Sequence, residues 1–342
     1  MGITHQKYKV ACVQAAPRWL DLDGSVDKAI ALIEEAAANG ARLIAFPETF
    51  IPGYPWYIWM GSPAWTVGRG FVQRYFDNSL SYASPQAERL RVAVQRAGIT
   101  AVVGLSERDG GSLYIAQWII GPEGETVAKR RKLRPTHGER TVFGDGDGSH
   151  IAVHDRADVG RLGALCCWEH LQPLTKYAMY SQNEQVHVAA WPSFSPTFAA
   201  SLGAAPNLAA SRVYALEGSC FVLASCAIVS PEMLDELCDT PDKRELILPG
   251  GAHSTIYGPD GIEISERLPE DQEGIVYAEI DLGLISIAKN AADPAGHYAR
   301  PDVTRLLFNN RPSRPVEYFA PPAEPAAAAS IVAAENLTGV AK

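Results

Sequence analysis

Three residues of this chain stand at the ends of apolar, strand-like runs and carry side chains suited to proton transfer, charge stabilisation and nucleophilic attack: Glu48, Lys132 and Cys167. Loops that follow strands are where α/β proteins gather reactive groups. Glu48 lies in Phe46-Pro47-Glu48-Thr49-Phe50-Ile51-Pro52-Gly53-Tyr54-Pro55. A glutamate after a strand is more often a solvated loop residue. Here no competing charge is near, and an apolar setting raises a carboxyl pKa until the group can carry protons near neutral pH. Cys167 lies in Gly163-Ala164-Leu165-Cys166-Cys167-Trp168-Glu169-His170. A cysteine at the passage from strand to helix has unpaired N–H groups and the positive end of the helix dipole beside it, which favour the thiolate and can donate to an oxyanion. Cys166 should face the other side of the strand and serve as core. His170 admits two readings, a Cys–His pair or a structural hydrogen-bonding group. Lys132 lies in a basic run, of which Lys129, Arg130 and Arg131 read as solvated surface charges. Alternation groups Arg130 with Lys132 and Arg131 with Leu133, so spacing does not single out Lys132. Glu139 is placed to neutralise whichever cation turns inward.

The elements that must position these groups alternate between strand and helix. Residues 9–16 form a β-like run, and the helical spacing of Val26, Ile30 and Ile33 predicts a helix over 24–40 with Gly40 as its stop. A short strand over 42–46 ends at Pro47-Glu48, and a helix over 86–97 leads into a strand over 100–105. Two hairpins share one turn: 114–120 returns as 125–129 through Gly121-Pro122-Glu123-Gly124, and 254–257 returns as 262–265 through Gly258-Pro259-Asp260-Gly261. A strand over 161–167 enters a helix over 171–180, followed by strand 185–191, helix 204–217 and strand 220–227. The class is α/β with a mixed sheet. From residue 311 to 342 the chain is rich in Pro and Ala, a tail distinct from the domain over 1–310.

Composition narrows the partners. The chain has 342 residues, 47% of them hydrophobic and 20% charged, with a formal net charge of −9. That gives no electrostatic footprint for nucleic acid or an anionic membrane. The polar opening predicts no secretory signal, and no apolar run approaches the roughly 18 residues of a membrane span. None of the six cysteines falls in a C-x-x-C pair and no Cys/His set has zinc spacing. Six free thiols, mostly buried, and a cytoplasmic location are expected, with no metal.

Taken together, Phe46-Pro47-Glu48, Arg131-Lys132-Leu133-Arg134-Pro135-Thr136 with Glu139-Arg140, Cys167-Trp168-Glu169-His170, and Gly296-His297-Tyr298-Ala299-Arg300-Pro301-Asp302-Val303 resemble the nitrilase branch of the carbon–nitrogen hydrolase superfamily. The resemblance covers roughly residues 8 to 310. It implies an α-β-β-α sandwich, two of which dimerise into an αββα–αββα core, with further assembly into a homo-oligomer such as a spiral or filament. It implies Glu48 as general base, Lys132 as stabiliser of developing negative charge, Cys167 as nucleophile, and Glu139 as the second glutamate that positions them. Tyr54 and Trp168 fall where such a protein would line its pocket; Trp191 stands in a further aromatic segment expected to face the site and bind substrate, and the segment 193–206 would shape the pocket. The Cys166-Cys167 doublet departs from the plain pattern; the cysteine directly before Trp-Glu-His takes the role.

The implied substrate is a small-molecule nitrile, hydrolysed to carboxylic acid and ammonia through a thioimidate and a thioester without any cofactor. An amide by-product follows if the tetrahedral intermediate expels the thiol. Trp168 beside the nucleophile favours slim aliphatic nitriles. The alternatives are a cyanide hydratase or dihydratase, an amidase of the same superfamily, or a non-catalytic scaffold, which would be expected to lack a triad member.

Overall fold

The computed structural model describes residues 2, 4–194, 200–313 and 316. Most of the Pro/Ala-rich tail expected over 311–342, and residues 195–199 of the expected pocket loop, lie outside the described residues.

Eleven strands carry the fold: β1 (Lys7–Ala15), β2 (Ala41–Ala45), β3 (Thr100–Asp109), β4 (Ser112–Ile120), β5 (Thr126–Arg131), β6 (His154–Arg156), β7 (Gly160–Cys166), β8 (Val186–Trp191), β9 (Phe221–Ala227), β10 (Thr255–Tyr257) and β11 (Gly274–Asp281). Their order is β5-β4-β3-β2-β1-β9-β8-β7-β6, with β11 also paired to β1 and β10 to β9. β1 runs antiparallel to β11 from Lys7 to Gln14 and parallel to β2 from Lys9 to Cys12, but meets β9 only at Gln14 and Ala15. The strands therefore form two sheets, joined where β1 ends.

Period-2 alternation explains how the sheets pack. Val10 and Cys12 of β1, Leu43 of β2, Val102 of β3 and Ile119 of β4 share one core with Leu162 of β7, Val188 of β8 and Leu223 of β9. Their neighbours turn the other way. Ala11 and Val13 pack on Val26 and Ile33 of the Leu22–Ala38 helix and on Leu90 and Val94 of the Pro85–Ala97 helix. On the second sheet Leu165, Ala189 and Val222 pack on Met179 of the Pro173–Tyr180 helix and Tyr214 of the Ala204–Gly218 helix. The result is the expected layered α-β-β-α sandwich. Asp21 accepts from Gly24 N and so starts the first helix at Leu22, two residues before the expected start at 24.

Both expected turns form. Gly121 N donates to Glu125 O and Gly258 N to Ile262 O, and the closing Gly124 and Gly261 take φ of 75° and 74°. The arm returning from Gly261 pairs only through the Tyr257–Glu263 bridge, so the second hairpin is shorter than its apolar pattern suggests. The helix expected at residue 171 begins at Pro173, which stands in its first turn. Cys167–Leu171 form a single 3₁₀ turn instead. Cys167 thus opens a short 3₁₀ turn and does not sit at the N-terminus of the α-helix, which corrects the reading of an α-helix dipole beside it. Proline, lacking an N–H, marks the true start.

Candidate active site

Glu48 hangs from a loop fastened to β3 at both ends. Phe46 N donates to Val102 O at 2.9 Å, and beyond Glu48 the chain rejoins the strand through Ser106 N to Ile51 O at 2.7 Å. The loop lies this close because Gly104 has no side chain; a Cβ there would run into Pro47 O. G104A is expected to move the Glu48 backbone and lower kcat/KM by about 10²-fold, the order that a displacement of about 1 Å costs a reacting group. An unchanged kcat/KM would separate Glu48's backbone placement from activity.

Lys132 follows β5 directly. Its N–H donates to Ile115 O and its carbonyl accepts from Gly146 N, both at 2.8 Å, so its backbone is held on both sides. Glu139 sits in a 3₁₀ turn, His137–Thr141, closed by a capping box with Thr136. The three ionisable side chains meet although Glu48 and Lys132 are 84 residues apart. Lys132 Nζ is 2.8 Å from Glu139 Oε2 and 3.3–3.4 Å from the two oxygens of Glu48. All three are 1% exposed.

The two carboxylates differ in how they are held. Glu139 Oε2 also accepts Thr136 N at 2.7 Å, and Oε1 accepts the Tyr54 hydroxyl at 3.0 Å. Three donors saturate Glu139. Among the described residues the Glu48 carboxyl meets only the Lys132 ammonium, at longer range. Burial pushes the Glu48 pKa up to about 8, with Lys132 opposing and Glu139 reinforcing the rise. Burial works against the Lys132 charge, but Glu139 and Glu48 outweigh it and hold its pKa well above the ordinary value. One ammonium facing two buried carboxylates leaves one negative charge in excess, and that excess makes Glu48 ready to take a proton.

Cys167 completes the group. It takes a left-handed φ of 46°, and two further non-glycine residues of this kind, Thr49 (48°) and His137 (43°), adjoin Glu48 and the Glu139 turn. Strain gathered in this way is a mark of functional sites. The Cys167 thiol pKa is pushed well above the ordinary value by burial; Lys132 pulls it down, Glu48 and Glu139 push it up, and the backbone N–H of Trp168 also lowers it. Cys166 turns to the other side and is fully buried, as alternation predicts, with its sulfur 3.7 Å from Arg130 Nη1.

Arg130 corrects the reading of the basic run. It is not a surface charge but 3% exposed. Its Nη2 lies 2.5 Å from both oxygens of Glu169, which also accept Leu133 N and Cys166 N at 2.8 Å. Glu169 thereby ties the residue after Lys132 to the residue before Cys167. Only the shared alternation of Arg130 and Lys132 hinted at this. Arg131, half-buried, pairs with Glu107 and Asp109.

Tyr54 is buried against Trp56 and Phe194, and its hydroxyl also accepts from Trp59 Nε1 at 3.2 Å. Trp168 is half-buried and borders a cleft of about 560 Å³ with Thr136, His137 and Arg140. Trp191 is fully buried, donating to Ser211 and stacked on His170. His170 reaches the Cys167 carbonyl, not the thiol. All six cysteines are free and buried. Among the described residues no three or more His, Cys, Asp or Glu side chains converge to hold a metal ion, and no helix is long and apolar enough to cross a membrane.

The sequence model of the carbon–nitrogen hydrolase family matches residues 9–290. A nitrilase of Pseudomonas syringae pv. syringae (strain B728a) is 60% identical over 307 residues, covering 89% of this chain and 90% of that protein. An aliphatic nitrilase of Rhodococcus rhodochrous is 53% identical over 315 residues, covering 90% of this chain and 84% of that one. Among solved structures, the NitFhit protein of C. elegans superposes with a TM-score of 0.70 at 19% identity, over 92% of this chain and 70% of that one.

Proposed function

The chain belongs to the carbon–nitrogen hydrolase family, and from that premise we propose that it is a nitrile hydrolase in which Cys167 attacks, Glu48 carries the proton, Lys132 balances charge and Glu139 holds Lys132 in place. Nitrile hydrolysis is supported by relatives named nitrilase at up to 60% identity over most of the chain. The observation that carries the roles is the unequal holding of the two glutamates: Glu139 is saturated by three donors, whereas Glu48, among the described residues, is left with the ammonium alone.

A nitrile carbon is a weak electrophile, and a thiolate attacks it better than water does. Glu48 takes the Cys167 proton as sulfur bonds to carbon, then returns it to the thioimidate nitrogen. A pKa near 8 suits a group that must act as base and then as acid within one step. Water, deprotonated by Glu48, adds to the thioimidate. Lys132 and Trp168 N–H stabilise the charge that develops. Ammonia leaves, and a second water releases the acid from the thioester. Expulsion of the thiol at the tetrahedral stage gives the amide instead.

Tyr54 and Trp168 are proposed to line the substrate pocket, with Trp191 packed behind the nucleophile. Residues 1–310 form the hydrolase domain in this reading, with 311–342 an appended tail. A cytoplasmic homo-oligomer whose protomers dimerise through their sandwiches is also proposed. Buried free thiols support the location, and the exposed Leu171 and Leu174 just past the nucleophile support the assembly. Purified protein offered an aliphatic nitrile, an arylacetonitrile, benzonitrile and cyanide, with acid, amide and ammonia quantified, tests the function. Acid and ammonia from nitriles, fastest from the aliphatic one, are expected. Turnover of the matching amide alone, or of cyanide alone, would contradict it.

A further inference from the structure

Behind Cys167 runs a chain of buried side chains that the reaction above does not use. His170 Nδ1 lies 2.6 Å from Cys167 O, and His170 Nε2 lies 2.9 Å from His187 Nε2. His187 Nδ1 lies 2.6 Å from Glu184 Oε1, and the Tyr214 hydroxyl lies 2.6 Å from Glu184 Oε2. All four side chains are buried. The rings are pinned by stacking, Tyr214 on His187 with centroids 3.8 Å apart and Trp191 on His170 at 5.1 Å.

Proton counting gives the chain one direction. A carbonyl only accepts, so His170 Nδ1 must carry hydrogen. Burial and the neighbouring His187 hold the His170 pKa well below the ordinary value, and burial does the same for His187, so both rings are neutral. His170 Nε2 therefore accepts from His187 Nε2, and His187 Nδ1 accepts from Glu184. Glu184 must then be the protonated acid, which agrees with burial raising its pKa to about 8. Tyr214 donates to its other oxygen. Every donor meets an acceptor from Tyr214 through to the Cys167 carbonyl.

The end of the chain matters because a trans peptide is planar, with its C=O and N–H pointing in opposite directions. The carbonyl gripped by His170 and the N–H of Trp168 belong to the same peptide unit, so fixing the one fixes the direction of the other, and the Trp168 N–H beside the thiol favours its ionised form. Cys167 is also left-handed at φ 46°, a conformation that surrounding structure must impose. We propose that His170 is a positioning residue: holding the Cys167 carbonyl at the head of the Tyr214–Glu184–His187–His170 chain, it keeps the Trp168 N–H aimed at the nucleophile and at the charge formed beside it. The inference rests on the nitrile-hydrolase reading for its effect on turnover.

H170L removes the donor, and H170N replaces it with an amide nitrogen standing where Nδ1 stands. With a nitrile that the wild type hydrolyses, H170L is expected to lower kcat by about 10²-fold, the order of one lost oxyanion donor, with KM little changed. H170N should recover most of that loss. A readout that needs no turnover is the pH dependence of iodoacetamide alkylation, followed by mass spectrometry of the Cys167 peptide. Its midpoint should rise in H170L and return in H170N. A wild-type kcat in H170L, or equal losses in both variants, overturns the proposal. Tautomers in ¹⁵N-histidine-labelled wild-type protein decide it even where H170L fails to fold: hydrogen on Nδ1 of His170 and Nε2 of His187 is expected, and the reverse pair overturns it. Failure of the wild type on every nitrile would instead sink the functional reading, leaving the alkylation and tautomer results to stand alone.

Discussion

An E48Q variant is expected to lose nitrile hydrolysis by roughly 10²- to 10⁴-fold, the range that a positioned general base supplies, and yet to melt higher than the wild type in alkaline buffer. The activity loss follows because an amide cannot take the Cys167 proton, and the thiol, raised by burial, does not ionise alone. The stability gain follows from the excess charge. The folded-state pKa of Glu48, about 8, lies above the 4.5 of an ordinary glutamate. The folded state therefore binds more protons than the unfolded chain between those values, and stability falls as pH rises through that window. Glutamine removes the penalty and leaves Lys132 paired with Glu139. The Tm difference should be near zero at pH 4 and grow to its full size above pH 8, by roughly 2–4 °C per kcal/mol relieved. The same protonation should give wild-type kcat/KM an acidic limb, rising tenfold per pH unit and bending near pH 8. A destabilised E48Q at pH 9, or retained turnover, would contradict this account of the cluster.

E169A is expected to cost about 3–5 kcal/mol of stability and most of the activity together. Arg130 would be left buried without its carboxylate, and Leu133 N and Cys166 N would lose their acceptors. Burial disfavours the charged form of Glu169, but Arg130 and the backbone donors outweigh it and lower its pKa, so the pair is ionised as found. The double variant R130M/E169L separates two contributions. It removes both charges, so much of the stability should return, while kcat should stay low because the tie between the flanks of Lys132 and Cys167 is still cut. Thermal melts beside kcat for the two variants make the test. Recovery of kcat in the double variant would mean that Glu169 only neutralises Arg130.

What could be read from the chain, and what could not, divides along the reach of the interactions. Glu48, Lys132 and Cys167 end strand-like runs, and the local apolar setting already suggested a raised carboxyl at Glu48. The α/β class with a mixed sheet was legible from the alternation of strand-like and helical runs, whereas the sandwich was only what the resemblance implied; the structure packs it by turning Val10 and Cys12 of β1 to one side and Ala11 and Val13 to the other. Arg130 was misread because a run of basic residues averages to a surface, and its burial depends on Glu169, 39 residues away. The partners of His170 hung on His187 and Glu184, which lie three residues apart, and on Tyr214 of the Ala204–Gly218 helix; nothing within the Cys-Trp-Glu-His stretch chose between thiol and carbonyl as its partner. The late start of the helix after Cys167 was open to reading, since Pro173 marks it.

The central claim is that carbon becomes bonded to the Cys167 sulfur, and the most direct measurement of it is peptide mass spectrometry on enzyme quenched in acid during nitrile turnover. A mass increase of one acyl or imidoyl group on Cys167, absent in C167A together with all acid and ammonia production, is the predicted result. Modification of Cys166 with Cys167 untouched, or undiminished hydrolysis by C167A, would contradict it.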